Sequence, residues 1–365
     1  MVKADAYGHG SVPIALALEA AGADALSVAT FDEAVELRDA GLALPLLVLY
    51  PVPVEQVPVA IARRIELTVG SGPLTARTLA AAAAYAGAEL LAIHLEVETG
   101  LGRGGVLPVD AAAMAAEISA APGVRLVGSW THLAAADDTA SALAQDALFD
   151  AALGPVADVA GFGPRGVRRH LAGSGGILGA DTGRWDAVRP GLSIYGLVPD
   201  ALTPPSATAE AASALRPVLS LLARPVRVME LPAGHGVSYG PSFRAPRASR
   251  IATLPLGYGD GWRRALSDRA WALVRGFRVP IVGRVAMDAI MADVTDVPGP
   301  PVTEDAEFVL LGGQGVERIT AHELAATVGT ISYEIVTGMS RRLPRVYHAA
   351  GSPVEIRVLA GGRTD

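Results

Sequence analysis

The sequence predicts a (β/α)8 barrel followed by a mainly β domain, and three observations carry that prediction. Short runs rich in Val, Ile and Leu alternate with Ala- and Leu-rich helical stretches through the first half of the chain. No G-x-G-x-x-G turn follows an early strand, which favours a closed barrel over an open doubly wound sheet. After the segment ALTPPSATAEAASAL the helical stretches give way to strands with tight turns.

The elements follow in order. DALSVAT reads as a buried strand, and Thr30 with Glu33 forms a capping box that starts the helix FDEAVELRDA, which Gly41 ends. PLLVLY is the next strand. RRIELTV then leads to a helix near Leu74 to Ala86, LAIHLEVET to a helix near Val109 to Ala120, and VRLVGSWTHL to another. The Pro, Ser, Thr and Ala content of residues 200–215 suits an exposed connection, so the domains are predicted as 1–212 and 213–365. In the second, VLSLLARPVRVMEL, RIATLPLGYGDG, WALVRGFRVPIVGRVAMDAIMADV, EFVLLGG and PVEIRVL read as strands, interrupted by one helix near Ala321 to Thr327.

Composition narrows the function. The formal net charge is -7 and the basic residues are scattered, which argues against a nucleic-acid partner. The chain has no cysteine, which excludes disulfides, thiolate metal sites and a thiol nucleophile, and nothing in it calls for a metal. The most apolar run, Leu42 to Val54, is short and broken by prolines, and the N-terminus has no signal-peptide pattern, so a cytoplasmic protein with no membrane partner is expected.

The run VKADAYGHG places Lys3 at the end of an expected strand and Tyr7 in the loop beyond it. In a barrel that is the catalytic face. A partly desolvated lysine there has a lowered pKa and becomes nucleophilic, although a lysine chosen blindly is a surface residue. In VRPGLSIYG a guanidinium and exposed backbone N–H groups meet at one loop; taken alone, Arg189 is a surface residue beside a turn. LAIHLEVET alternates apolar and polar residues, which puts His94, Glu96 and Glu98 on one side of a strand.

VKADAYGHG resembles the signature segment of the alanine racemase family. Further resemblances run in the same order through ETGLGRGG, THLAAADD, AGSGGIL, VRPGLSIYG, GVSYG, LPLGYGDG, VGRVAMD and ISYEIV, and so span nearly the whole chain. The resemblance implies pyridoxal 5'-phosphate carried covalently by Lys3, and two-base interconversion of L- and D-alanine that supplies D-alanine for peptidoglycan. It implies a homodimer with shared active sites, in which Tyr239 of the partner subunit is the second acid–base group, tuned through His132 and Arg189. A tyrosine with its ordinary pKa of about 10 needs such help.

By the same resemblance Arg189 donates to the cofactor's ring nitrogen. An arginine keeps its proton, so the ring stays a weaker electron sink and transamination is suppressed. The phosphate falls to Tyr7, Ser174, the backbone at Gly191 and Leu192, and Tyr333. Gly173 stands where the family commonly has Asn, which removes one side-chain donor. Arg103 is implied as partner of the cofactor's phenolic oxygen and of the substrate carboxylate, with the backbone at Met287 of the partner subunit assisting. Tyr258 and Asp288 resemble residues at the substrate entrance, whereas Tyr195 and Tyr347 read as structural.

Glu96 stands where many members carry a carbamylated lysine, and is expected to supply that negative charge itself. Glu98 replaces the usual Asp. Only Met1 and Val2 precede Lys3, so the barrel is expected to lack most of its first strand, which bears on stability and activity alike. The alternatives are a racemase of broader specificity and a non-catalytic pyridoxal-phosphate-binding protein. A decarboxylase on the same plan would use an acidic ring-nitrogen partner, against Arg189.

Overall fold

Parallel pairing of short, buried strands organises the first of two units into which the chain divides, residues 1–7 with 11–215. The computed structural model describes residues 1–160, 166–180 and 185–359. The strands are β1 (Leu26–Val28), β2 (Leu46–Val48), β3 (Ile65–Val69), β4 (Leu91–Glu96), β5 (Val124–Trp130) and β6 (Arg168–His170), paired in that sequential order. Every pairing is parallel, and a parallel bridge from His170 to Ala187 carries the series one step further. Strands covered on both faces are nearly continuous in Leu, Ile and Val, as Leu46, Leu47 and Val48 illustrate.

Helices pack between the strands. Phe31–Asp39 starts at the expected capping box, with the Thr30 hydroxyl accepting from Glu33 N–H and the Glu33 carboxylate accepting from Thr30 N–H. Gly41 follows at φ 91°, a conformation that suits glycine. The next predicted helices fall at Pro73–Ala83 and Ala111–Ala120, the latter preceded by a 3-10 turn at Pro108–Asp110.

Two expectations need correction. Residues 206–214 form a helix rather than an irregular connection; Ala212 is its one buried residue, so it lacks the apolar stripe by which helices are read from sequence. Lys3 does not end a strand. Val2 N–H donates to Ser27 O beside β1 (3.0 Å), while the Met1 nitrogen donates to Pro190 O on the far edge (3.0 Å), and Ala4 to Tyr7 then turn in the left-handed helical region at φ 52–54°. Between the β1 edge and the 187–190 segment lies a cavity of about 610 Å3, into which Glu66, His94, Arg168 and His170 also reach.

The second unit comprises residues 8–10 and those from Arg216 onward. Its strands are β7 (Leu221–Ala223), β8 (Arg227–Leu231), β9 (Gly236–Val237), β10 (Phe243–Arg244), β11 (Ser249–Leu254), β12 (Trp271–Val274), β13 (Phe277–Pro280), β14 (Ile290–Asp293), β15 (Phe308–Gln314), β16 (Glu317–Ile319), β17 (Arg345–Ala349) and β18 (Ser352–Arg357). All pair antiparallel, with β8, β11 and β14 in one sheet and β7, β12, β13, β15 and β16 in another. Leu231, Val237, Ile251 and Val282 form a buried cluster in this unit. The expected helix spans Ala321–Val328, and a second, Ser332–Thr337, carries Tyr333 where the sequence signalled only a motif.

Candidate active site

The segment after Lys3 is held in an unfavourable backbone conformation by side chains from elsewhere in its unit. Four consecutive non-glycine residues at positive φ cost roughly 1–2 kcal/mol each. Glu33 offsets part of this: one carboxylate oxygen accepts from Ala4 N–H (2.6 Å), while the other accepts from Ala29 N–H and Thr30 N–H. Asp5 accepts from Ser11 N–H (2.9 Å), and the Tyr7 ring lies against that of Tyr195 at 5.0 Å. The Lys3 amine is pushed below its ordinary value by burial, then by Arg103; Glu33 opposes the shift and Arg189 adds to it.

Arg189 lies at the centre of a buried polar network. One terminal nitrogen donates to His170 Nδ1 (2.7 Å) and His170 O (2.9 Å), and the other to Thr131 O (2.7 Å), Leu171 O (3.1 Å) and His132 Nδ1 (3.3 Å). Among the described residues its Nε–H has no partner. The guanidinium also lies 5.0 Å over the Trp130 ring. Burial pushes Arg189 down to about 9, with Glu96 opposing and Arg103 adding, so it remains charged at neutral pH.

His132 accepts from that cation and is therefore neutral with its proton on Nε2. Burial pushes it down to about 3, and the charges of Arg189, Arg103 and Lys3 act in the same direction.

Ser174 joins two loops. Its hydroxyl oxygen accepts from Gly191 N–H (2.9 Å) and Ser193 N–H (3.1 Å) and lies 3.0 Å from the Ser193 hydroxyl. A Cβ on Gly191 would fall 2.4 Å from the Tyr7 hydroxyl, so only glycine lets Tyr7 approach. Leu192 begins the 3-10 turn that follows, fully buried. Hydroxyls and backbone amides thus converge near Tyr7, as a phosphate dianion requires.

Arg103 stands on a turn built by Glu98, whose carboxylate accepts from the N–H groups of Gly100, Gly102 (2.8 Å) and Arg103 (3.2 Å). Burial pushes the Glu98 carboxyl up, but backbone donors from Gly102, Gly100, Arg103 and Leu101 outweigh it and hold the group below its usual range. Glu98 therefore lies beyond the end of β4, whereas His94 and Glu96 are buried in the strand, so the expected single row holds for two of the three. Glu96 lies 3.8 Å from the Arg103 guanidinium. Burial raises its pKa, with Arg103 opposing and Glu98 adding.

In the second unit, Tyr258 N–H donates to Ala286 O and Gly259 N–H to Met287 O, both at 3.0 Å, which brings Tyr258, Met287 and Asp288 together. Arg342 bridges Asp260 (2.7 Å) and Asp288 (2.6 Å). Tyr239 sits between β9 and β10, after Ser238 at φ 62°, and is 73% exposed. Tyr333 is half-buried on its helix. Tyr347 donates to His9 O (2.9 Å) and buried Tyr195 to Met1 O (2.8 Å).

The alanine racemase N-terminal domain model matches residues 1–199, and the alanine racemase C-terminal domain model matches residues 218–347. The chain belongs to the alanine racemase family. An alanine racemase of Desulfovibrio desulfuricans is 41% identical over 349 residues, covering 95% of this chain and 90% of that one. A crystal structure of alanine racemase from Bacillus anthracis with bound L-Ala-P superposes with a TM-score of 0.87 at 34% identity, covering 98% of this chain and 90% of that one. Alanine racemase from the D-cycloserine producer Streptomyces lavendulae gives 0.82 at 36% identity, covering 96% and 90%.

The alanine racemase family consists of pyridoxal-phosphate-dependent isomerases, and the first unit fits that cofactor: a depressed amine at Lys3, an unengaged Nε–H on a buried cation, and the hydroxyl and amide cradle at Ser174 and Gly191. Glu33 and Ser193 belong to this surrounding, and the sequence does not assign either to the site. For Glu33 a signal existed, since its capping box placed it one strand away from Lys3.

Proposed function

We propose that this chain interconverts L- and D-alanine with two acid–base groups, Lys3 and Tyr239 of the partner subunit, in a cytoplasmic homodimer. The observation that carries the proposal is the buried Arg189 cation, which leaves one N–H unengaged in the same polar surrounding as a desolvated lysine and a neutral histidine. Lys3, Tyr7, Ser174, Arg189, the backbone at Gly191 and Leu192, and Tyr333 would hold pyridoxal phosphate, which when bound would supply acidification of the substrate α-carbon.

The chain's own groups divide the remaining work. Lys3 Nζ, with its pKa lowered by burial, exchanges a proton on one face of the α-carbon; the Tyr239 hydroxyl of the partner subunit does so on the other. His132 offers its Nε2–H as a donor that stabilises the ionised phenol. Arg103, oriented by the Glu98 turn and balanced by Glu96, binds the substrate carboxylate, assisted by the backbone at Met287 of the partner subunit. Tyr258 and Asp288 narrow the entrance and favour a small side chain.

A chiral product assay across a panel of amino acids tests this reading. Alanine is expected to racemise fastest, with serine well behind. Equal rates for bulky residues would contradict the narrow entrance, and no racemisation of any would overturn the function.

A further inference from the structure

A chain of hydrogen bonds leads from Arg189 through the barrel interior to a carboxylate at the opposite end of the strands. Arg189 contacts His170 Nδ1 at 2.7 Å, His170 Nε2 lies 3.0 Å from His94 Nδ1, and His94 Nε2 lies 2.7 Å from the Glu66 carboxylate. Both histidines are buried, and Arg168 caps Glu66 at 3.5 Å. We propose that Glu66 is a positioning residue for racemisation: with Arg189 donating at one end of the chain, Glu66 is the acceptor that closes it at the other, and so holds His94, His170 and the Arg189 guanidinium in place. The proposal rests on Arg189 acting as the cofactor's ring-nitrogen partner.

The donor logic admits one direction. An arginine N–H can only donate, so His170 Nδ1 accepts and its proton sits on Nε2. That proton points at His94 Nδ1, which must then accept, leaving the His94 proton on Nε2, aimed at a group that accepts only when ionised. Reversing either ring would set two N–H groups, or a lone pair and a carboxylate, against each other at hydrogen-bond distance. Each such mismatch in a buried site forfeits a hydrogen bond and leaves its group unsatisfied.

The backbone makes room for the relay. The β4–β5 register shifts between Ile93 and His94, so that His94 pairs with Gly128. A Cβ at Gly128 would lie 2.0 Å from His94 Nδ1, so the contact with His170 requires glycine there. The rings of His94 and His170 meet edge to face at 71°, and the Trp130 ring stacks over His170. The charge states agree with the donor logic. Burial and then the Arg189 cation keep His170 neutral. Burial pushes the Glu66 carboxyl up, but the hydrogen bond from His94 and the nearby positive charges outweigh it and hold the group ionised.

The test uses holoenzyme with 15N-labelled histidine, as the wild-type protein and as Glu66→Gln and Glu66→Leu. Wild type should show both rings as single Nε2–H tautomers; a proton on His170 Nδ1 would overturn the proposal whatever the variants do. In Glu66→Gln, whose amide oxygen can still accept from His94 Nε2–H, the tautomers should persist and kcat should stay within about threefold of wild type. In Glu66→Leu, which leaves that N–H without its acceptor, the His94 ring shifts should move and kcat should fall about tenfold with KM for alanine within about twofold. Unchanged ring shifts, or an unchanged kcat, in Glu66→Leu would reduce Glu66 to a structural partner of Arg168. Absence of racemisation by the wild-type holoenzyme would instead overturn the function, while the tautomer spectrum would still report on the relay.

Discussion

Tyr7, Ser174 and Arg189 in the first unit are buried, at 7%, 5% and 8% exposed, whereas Tyr239, Met287 and Tyr258 in the second stand open to solvent, at 73%, 52% and 43%. Arg189 alone makes five hydrogen bonds to three histidine, threonine and leucine carbonyls and two imidazole nitrogens. Tyr239 follows Ser238, whose Oγ donates to Arg284 O (2.6 Å). A large aromatic ring left uncovered by its own unit gains burial only when another surface covers it. The contrast separates groups held within the chain from groups left uncovered by it, as the proposed shared-site dimer would require.

The largest effect should come from the preorganised half. Lys3→Ala is expected to lower racemase kcat by about a thousandfold or more and to abolish the borohydride-fixed cofactor adduct. A persisting adduct would show that another amine carries the cofactor. Arg189→Glu should lower turnover by about a hundredfold and raise abortive transamination, followed by the loss of cofactor absorbance during turnover; neither change would mean that Arg189 does not contact the ring.

Acid should loosen this half through its neutral histidines. His132 and His170 have folded values below the ordinary 6.5, so the unfolded chain binds more protons as pH falls beneath that value. Their contribution to stability is therefore present above pH 6.5 and lost toward acid, for His132 down to about 3. By about pH 5.5 His132 should have lost about 1.4 kcal/mol, with His170 acting in the same direction, read from denaturant midpoints between about pH 7.5 and 5.5. A flat profile would mean that the two rings are charged in the folded protein.

Ser174→Ala should have the smallest effect, weakening cofactor affinity about fivefold by removing one acceptor and one donor near Gly191. Fluorescence titration of the apoprotein with pyridoxal phosphate would read it. Unchanged affinity would place the phosphate elsewhere.

What was legible in the sequence was local or patterned. The Thr30–Glu33 capping box spans four residues, and the β1 to β6 series announces itself through repeated apolar runs. The Glu66–His94–His170 relay was not legible, because its members come from three strands and meet only through pairing register and the bulge beside Gly128. The left-handed turn at Ala4 to Tyr7 runs against the preferences of its own residues and is held by Glu33, which accepts from Ala4 N–H, and by Asp5, whose carboxylate accepts from Ser11 N–H. Residues 206–214 read as a connection because Ala, Ser and Thr without an apolar stripe resemble a linker. Lys3, Arg189 and Tyr239 are singled out by resemblance, since alone the first two read as surface residues and Tyr239 in its Gly-flanked turn as structural.

The central claim is that Lys3 and Tyr239 serve each active site from different chains, and subunit mixing tests it directly. Lys3→Ala and Tyr239→Phe homodimers, each first shown to be folded and nearly inactive, are combined in equal amounts and allowed to exchange. A mixed dimer then holds one intact site and one doubly defective site, so about a quarter of wild-type activity should return under the two-fold symmetry of such a dimer. Recovery no greater than the average of the two parents, with exchange demonstrated, would contradict the account and return Tyr239 to its own chain or to no catalytic role.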